Sequence, residues 1–288
     1  MNTDIVIVGS GVAGLYCALN MPEYKKITIV TKDEAPKSDS FLAQGGICVL
    51  RDEADFKAFY EDTMRAGHYE NNPDSVEIMI RSSQEVIRDL VFFGVKFEKD
   101  GEEFTYTREG AHSNPRILFH EDETGKEITQ NLLNTVRNRR NITLIENFTM
   151  VDLICYNNEC TGIIGKDSKG EFVSISADYT VLATGGIGGL FKHSTNYRHL
   201  TGDALAIALK HGIKLQHIDY IQIHPTTLYT KKNGREFLIS ESVRGEGAIL
   251  LNSKGERFIN ELLPRDVVAN AIFDEMKKEG SEHVWLSL

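Results

Sequence analysis

A short apolar run that breaks onto three spaced glycines constrains this chain more than any other feature. Asp4-Ile5-Val6-Ile7-Val8 shows no polar alternation, so it reads as a strand buried on both faces. Gly9-Ser10-Gly11-Val12-Ala13-Gly14 follows, then a short helix over Leu15 to Leu19 and a second strand over Lys26 to Thr31. The βαβ unit thus closes within about thirty residues, the span the dinucleotide-binding motif requires. Each glycine has its own duty. Gly9 permits the tight turn, Gly11 lets the backbone approach a pyrophosphate, and Gly14 lets helix and strand pack closely. The helix start offers unpaired N–H groups to phosphate oxygens, which makes Gly9, Ser10, Gly11, Val12, Ala13 and Gly14 candidate cofactor contacts. After the second strand such a site ordinarily has an acid for the ribose hydroxyls. Here Thr31-Lys32-Asp33 stands instead, with Lys32 as the candidate ribose or phosphate contact and Asp33 as a solvated neighbour.

Further along, helices are expected over 55–66, from the Asn72-Pro73-Asp74 cap to about Phe93, over 126–140 and over 203–211, with Gly67, Gly94 and Gly212 as stops. Segments 144–145, 149–155, 162–166 and 172–175 read as strands of a hairpin-rich insertion, turning at Asn157-Asn158 and Ser168-Lys169-Gly170. Thr180-Val181-Leu182-Ala183-Thr184-Gly185-Gly186 then reads as a buried strand resuming the parallel sheet. From Ile218 the pattern changes to alternating strands and loops rich in His, Arg and Glu, with a last strand over Val284 to Ser287, so a boundary is expected near Ile218.

The 288 residues suffice for one large domain and part of another. A net charge of -10 argues against nucleic acid and anionic membrane surfaces as partners. No signal peptide and no apolar stretch of bilayer length is seen, so the expected location is cytoplasmic. An anionic substrate would need Arg and His concentrated locally, against the sign of the whole. Cys17, Cys48, Cys155 and Cys160 include no CxxC pair and no His at ligand spacing. Cys155 and Cys160 flank a turn and read as strand-end residues, so no metal is expected.

Several segments, in order, resemble the succinate dehydrogenase, fumarate reductase and L-aspartate oxidase flavoprotein family. They are Ser38-Asp39-Ser40-Phe41-Leu42-Ala43-Gln44-Gly45-Gly46, Ala183-Thr184-Gly185-Gly186, Thr201-Gly202-Asp203-Ala204, Gln222-Ile223-His224-Pro225-Thr226, Glu241-Ser242-Val243-Arg244-Gly245-Glu246-Gly247-Ala248 and Pro264-Arg265-Asp266-Val267-Val268. The resemblance implies an α/β fold: a Rossmann-like FAD-binding domain with a β-rich insertion over 1–217, plus an incomplete α+β capping domain over 218–288. It adds Asp39, Ser40, Phe41, Leu42, Ala43, Gln44, Gly45, Gly46, Val151, Ala183, Thr184, Gly185 and Asp203 to the cofactor contacts. Membrane-bound members carry a flavin-linked histidine where this chain has Asp39, so non-covalent FAD is implied.

Thr107-Arg108-Glu109-Gly110-Ala111-His112-Ser113 resembles the aspartate oxidase branch, in which a glutamate replaces an amide. A carboxylate at Glu109 can pair with a substrate ammonium that succinate lacks. The implied reaction is FAD-dependent oxidation of L-aspartate to iminoaspartate, the first step of quinolinate and NAD biosynthesis, with oxygen or fumarate as acceptor. Quinolinate synthase is then a candidate partner. By resemblance His224 and Ser240 bond a substrate carboxylate. Arg244 serves the substrate or the neighbouring Glu241 and Glu246, and Arg265 is the catalytic arginine. Arginine is a poor base unless a carboxylate supports it; Asp266 and Glu261 lie nearby in sequence. His112, His193, His199, His211 and His217 are read as having no chemical role.

Family members continue past the position of Leu288 and supply a second glycine-rich segment with more substrate ligands. Weak FAD binding and little turnover are therefore expected of this chain alone. The rival readings are a soluble fumarate reductase or succinate-oxidising flavoprotein, which Glu109 disfavours, and a non-catalytic nucleotide-binding fragment. A nicotinamide dehydrogenase is disfavoured because no second dinucleotide motif is present.

Overall fold

The computed structural model describes residues 1–232 and 234–288. Strand β1 (Asn2–Val8), helix α1 (Val12–Leu19) and strand β2 (Ile27–Val30) form the expected opening unit. Next come α2 (Asp39–Leu42), β3 (Gly46–Cys48), α3 (Phe56–Ala66), α4 (Pro73–Phe92), the short β4 (Lys99–Asp100) and β5 (Glu103–Phe104), and β6 (Ile117–Phe119). Helix α5 (Thr124–Asn138) leads into β7 (Ile142–Ile145), β8 (Thr149–Tyr156), β9 (Glu159–Lys166) and β10 (Phe172–Leu182). The chain ends with α6 (Asp203–Lys210), α7 (Glu241–Gly245), β11 (Ile249–Leu251), α8 (Arg265–Glu279) and β12 (Trp285–Ser287).

One six-stranded sheet organises the molecule in the order β7-β2-β1-β10-β9-β8. β7, β2, β1 and β10 run parallel, while β9 and β8 are antiparallel additions. Successive residues of a strand face opposite sides. Ile5, Ile7, Ile27 and Ile29 therefore pack with α1, α4 and α5 on one face, and Val6, Val8 and Val30 pack with Ile163, Ile175 and Ile207 on the other. Cores on both faces explain why the first strands read as unbroken apolar runs.

Two expectations need correction. The segments 172–175 and 180–186, read as an insertion strand and a resumed sheet strand, belong to one continuous strand, β10, which ends at Leu182. Its first half pairs with β9 and its second half with β1, so the hairpins extend the main sheet. The polar alternation of Ser174, Ser176 and Asp178 marks where one face opens to solvent, and it does not end the strand. Secondly, the region after Ile218 holds a fifteen-residue helix, α8, where strands were expected. Its signals are an acid in the first turn, lysines in the last, and the left-handed Gly280. Leu250, Val268 and Ile272 form its small core with Phe258, Met276 and Leu286. Among the described residues no helix is long and apolar enough to cross a membrane.

Candidate active site

The phosphate cradle is built by close backbone approach. Gly9 has φ +117, and a Cβ there would lie 2.1 Å from the Ala183 carbonyl oxygen, because β1 and β10 end side by side. A Cβ on Gly14 would lie 2.1 Å from the Gly9 oxygen, so turn and helix interlock. Gly11 caps α1 without a side-chain bond, and Val12 and Ala13 are exposed, which leaves the helix start open. Ser10 has a structural duty: its buried hydroxyl lies 3.0 Å from both Thr31 Oγ1 and the Ala35 carbonyl.

The loop carrying α2 leans over this cradle. Ser40 Oγ accepts from the Val12 N–H at 3.0 Å. Asp39 Oδ1 accepts from the Tyr197 N–H at 3.0 Å, and burial pushes its carboxyl above the ordinary range. The start of α5 braces the loop from below. Thr124 Oγ1 donates to the Gly45 carbonyl and the Gly125 N–H donates to that of Ala43. Sequence reading missed both braces; Gly125, out of place near a helix start, was the available signal.

Lys32 meets Asp203, its fellow cofactor candidate. Its Nζ donates to Asp203 Oδ2 at 2.7 Å, Thr201 Oγ1 at 2.8 Å and the His199 carbonyl at 3.0 Å. This pair ties the end of β2 to the start of α6. Thr184 and Gly185 lie just beyond β10, while Val151, 38% exposed, lies on β8 at a shift of register. It follows Phe148, whose N–H bonds Thr31 at the end of β2.

A second cluster forms where four distant segments meet beside Gly45. Glu109 Oε1 lies 2.5 Å from the point a Gly45 Cβ would occupy. Burial and the neighbouring Glu241 hold its carboxyl above the ordinary range. Arg265 donates through Nε to Glu241 Oε2 at 2.6 Å and through Nη1 to Gln222 Oε1 at 2.9 Å. The carboxylate beside Arg265 is thus Glu241, and neither sequence neighbour fills that role. Asp266 faces His68 at 3.0 Å, and Glu261 is engaged by Arg257 and the Leu250 N–H. Arg244, 2% exposed, reaches the Glu261 carbonyl, and its Nη2 lies 3.8 Å from Glu241, yet its Nε and Nη2 are buried with no hydrogen-bond partner among the described residues. Its guanidinium is depressed by burial. His224, depressed to about 4 by burial and by Arg265, sits on the Thr226 backbone. Ser240 Oγ donates to Asp122 Oδ1 at 2.9 Å and meets Ser242 Oγ at 2.7 Å. Glu241 stood in a quoted motif but was given no role of its own; Asp122 carried no sequence signal.

The residues present fit a dinucleotide with a flavin. The start of α1, with only the Val12 N–H taken by Ser40, suits a pyrophosphate, and Ser38 Oγ and Gln44 Oε1 of the overlying loop are buried without hydrogen-bond partners among the described residues.

A profile of the FAD binding domain family matches residues 4–288. The L-aspartate oxidase of Clostridium perfringens is 50% identical over 99% of this chain and 65% of that protein. The L-aspartate oxidase of Clostridium acetobutylicum is 47% identical over 100% of this chain and 67% of its own length. E. coli quinol fumarate reductase FrdA superposes with a TM-score of 0.92 at 26% identity, over 100% of this chain and 54% of that one. The chain therefore spans about two thirds of the length of these curated relatives. From the glycine cradle, the loop above it and these likenesses together, the chain belongs to the FAD binding domain family, with FAD as its cofactor, and its sequence is similar to the L-aspartate oxidases.

Proposed function

We propose that this chain forms the FAD site and part of the substrate site of an enzyme that oxidises L-aspartate to iminoaspartate. The observation that carries the reading is the convergence of Glu109, Glu241, Arg244, Arg265 and His224 beside the Gly45 loop. FAD, when bound there, supplies a two-electron acceptor. The side chains supply position and charge. Arg265, aligned by Glu241 and Gln222, holds a substrate carboxylate by electrostatics near the reacting carbon. Arg244 keeps buried N–H groups without partners for the same purpose. His224 stays neutral at physiological pH. Its Nδ1 lies 2.9 Å from the Thr226 carbonyl and 3.3 Å from the Thr226 N–H, contacts that fix the ring beside the cluster. Glu109 pairs with the substrate ammonium, which offsets the cost of burying its charge.

In the same reading FAD is held non-covalently, because Asp39 offers a carboxylate to Tyr197 and no imidazole to the flavin. Residues 1–217 form the FAD-binding unit and 218–288 part of a capping unit. The location is cytoplasmic, and the unstable imine passes to quinolinate synthase for NAD biosynthesis. The likeness to quinol fumarate reductase favours one second reading, a succinate or fumarate enzyme, whose substrate offers Glu109 no ammonium.

The test is to reconstitute the purified chain with FAD, remove oxygen, and follow the oxidised flavin band on adding L-aspartate or succinate. Bleaching by aspartate alone supports the proposal, and bleaching by succinate alone overturns it.

A further inference from the structure

Two of the four cysteines face each other across a hairpin, away from the cluster just described. Strands β8 and β9 turn through Asn157-Asn158, whose φ values of +49 and +65 make a two-residue turn of the type that matches strand twist. Tyr156 pairs with Glu159 as the last rung, and Cys155 pairs with Cys160 as the next. In an antiparallel ladder hydrogen-bonded and non-hydrogen-bonded pairs alternate, and the pair flanking a two-residue turn is hydrogen-bonded. Cys155 and Cys160 therefore occupy a non-hydrogen-bonded position, where Cα atoms lie about 4.5 Å apart and side chains come closest. A disulfide needs Cα atoms about 4.4–6.8 Å apart. Both thiols are free and both residues are exposed. Cys17 and Cys48, by contrast, are partly covered. Cys48 pairs with Ile117 across its own ladder, so no second thiol faces it there.

We propose that Cys155 and Cys160 form a reversible thiol–disulfide site at the tip of the β8–β9 hairpin, oxidised by hydrogen peroxide. One thiolate attacks a peroxide oxygen, giving a sulfenic acid and, after protonation, one water. The partner thiolate then attacks the sulfenic sulfur, the S–S bond forms, and the hydroxyl leaves as a second water. Two thiols and one peroxide thus give one disulfide and two waters. Burial and the neighbouring Cys160 sulfur raise the Cys155 thiol, as two sulfurs crowded on one side of a sheet require. Cys160 Sγ lies 3.5 Å from Thr180 Oγ1 on β10, and bond formation draws it from that neighbour toward Cys155.

The test exposes the folded chain to hydrogen peroxide, quenches, denatures, and counts maleimide additions by mass. The reduced chain takes four labels, one for each cysteine. The expected result is a fall from four labels to two, restored by dithiothreitol, with the lost pair mapping to Cys155 and Cys160. Cys155→Ser and Cys160→Ser should each lose at most one label after the same treatment, as a sulfenic acid on the remaining thiol, because neither retains a partner to close the disulfide. Retention of four labels overturns the proposal. So does mapping of the loss to Cys17 or Cys48, or loss of two labels in either single variant.

Discussion

Glu109 and His224 sit in the same cluster, and burial moves both away from charge. For Glu109, burial and Glu241 raise the carboxyl, so it needs a cation to be comfortably ionised. If that cation is the substrate ammonium, Glu109→Gln should lower kcat/KM for L-aspartate by about 10–100-fold, the loss of one charge-assisted bond. Reduction of bound flavin by succinate, where detectable, should change little. Steady-state kinetics with both substrates checks this, and an equal loss for both would remove Glu109 from amine recognition. For His224, the folded chain holds the ring near 4 against an ordinary 6.5. Between these values the unfolded chain binds a proton that the folded chain refuses, so stability is complete above about 6.5 and falls as pH drops toward 4. Thermal melts should show this slope, and His224→Gln should flatten it. His112, also depressed by burial, and the depressed carboxylates act in the same direction, the raised Glu109 and Asp39 act against it, and all remain in both proteins.

At the scale of elements, the segment carrying Glu109 is anchored by Arg116 at the entry to β6. Arg116 is wholly buried and bonds Asp55 through Nη2 at 2.9 Å and Asp62 through Nη1 at 2.7 Å, both acids lying at or in α3. Asp62 Oδ2 also accepts from the Ser113 N–H at 2.7 Å, and Asp55 Oδ1 accepts from Asn114 Nδ2 at 2.8 Å. One network therefore clamps residues 113–116 against α3. Arg116→Met leaves buried Asp55 without its ion pair and Asp62 with Arg65 alone, and should cost about 3–5 kcal/mol, read as a shift of the urea midpoint. A change below about 1 kcal/mol would show that water or rotation satisfies both acids. None of this was legible in the sequence, because the partners stand 54 and 61 positions from Arg116. Helix α4 was legible to within a residue or two, since Asn72, Pro73 and Gly94 act through local backbone bonds.

For the whole molecule, one broad open cleft of about 2070 Å³ is lined among others by Ile221, Ile223, Leu228, Phe273 and Trp285. Each of these five is more than two fifths exposed, far beyond a scatter of single surface apolar residues. The chain should accordingly bind an environment-sensitive apolar dye and self-associate with concentration, despite its net charge of -10. The double variant Ile223→Asp, Phe273→Asp should reduce dye emission by roughly half and shift sedimentation toward the monomer. Unchanged emission would mean the dye sits elsewhere.

The sequence by itself determined the βαβ opening, the glycine cradle, most helix ends and the order of the family segments. All of these rest on backbone conformation and on contacts between residues close in the chain. The fold alone decided that 172–182 is one strand, because its two halves draw their hydrogen bonds from different partners. It also decided that Lys32 meets Asp203, that Glu241 holds Arg265, and that Cys155 faces Cys160. A side chain's charge partner is whichever group the packing brings within reach, and proximity in the chain, as with Asp266 beside Arg265, does not aim two side chains at each other.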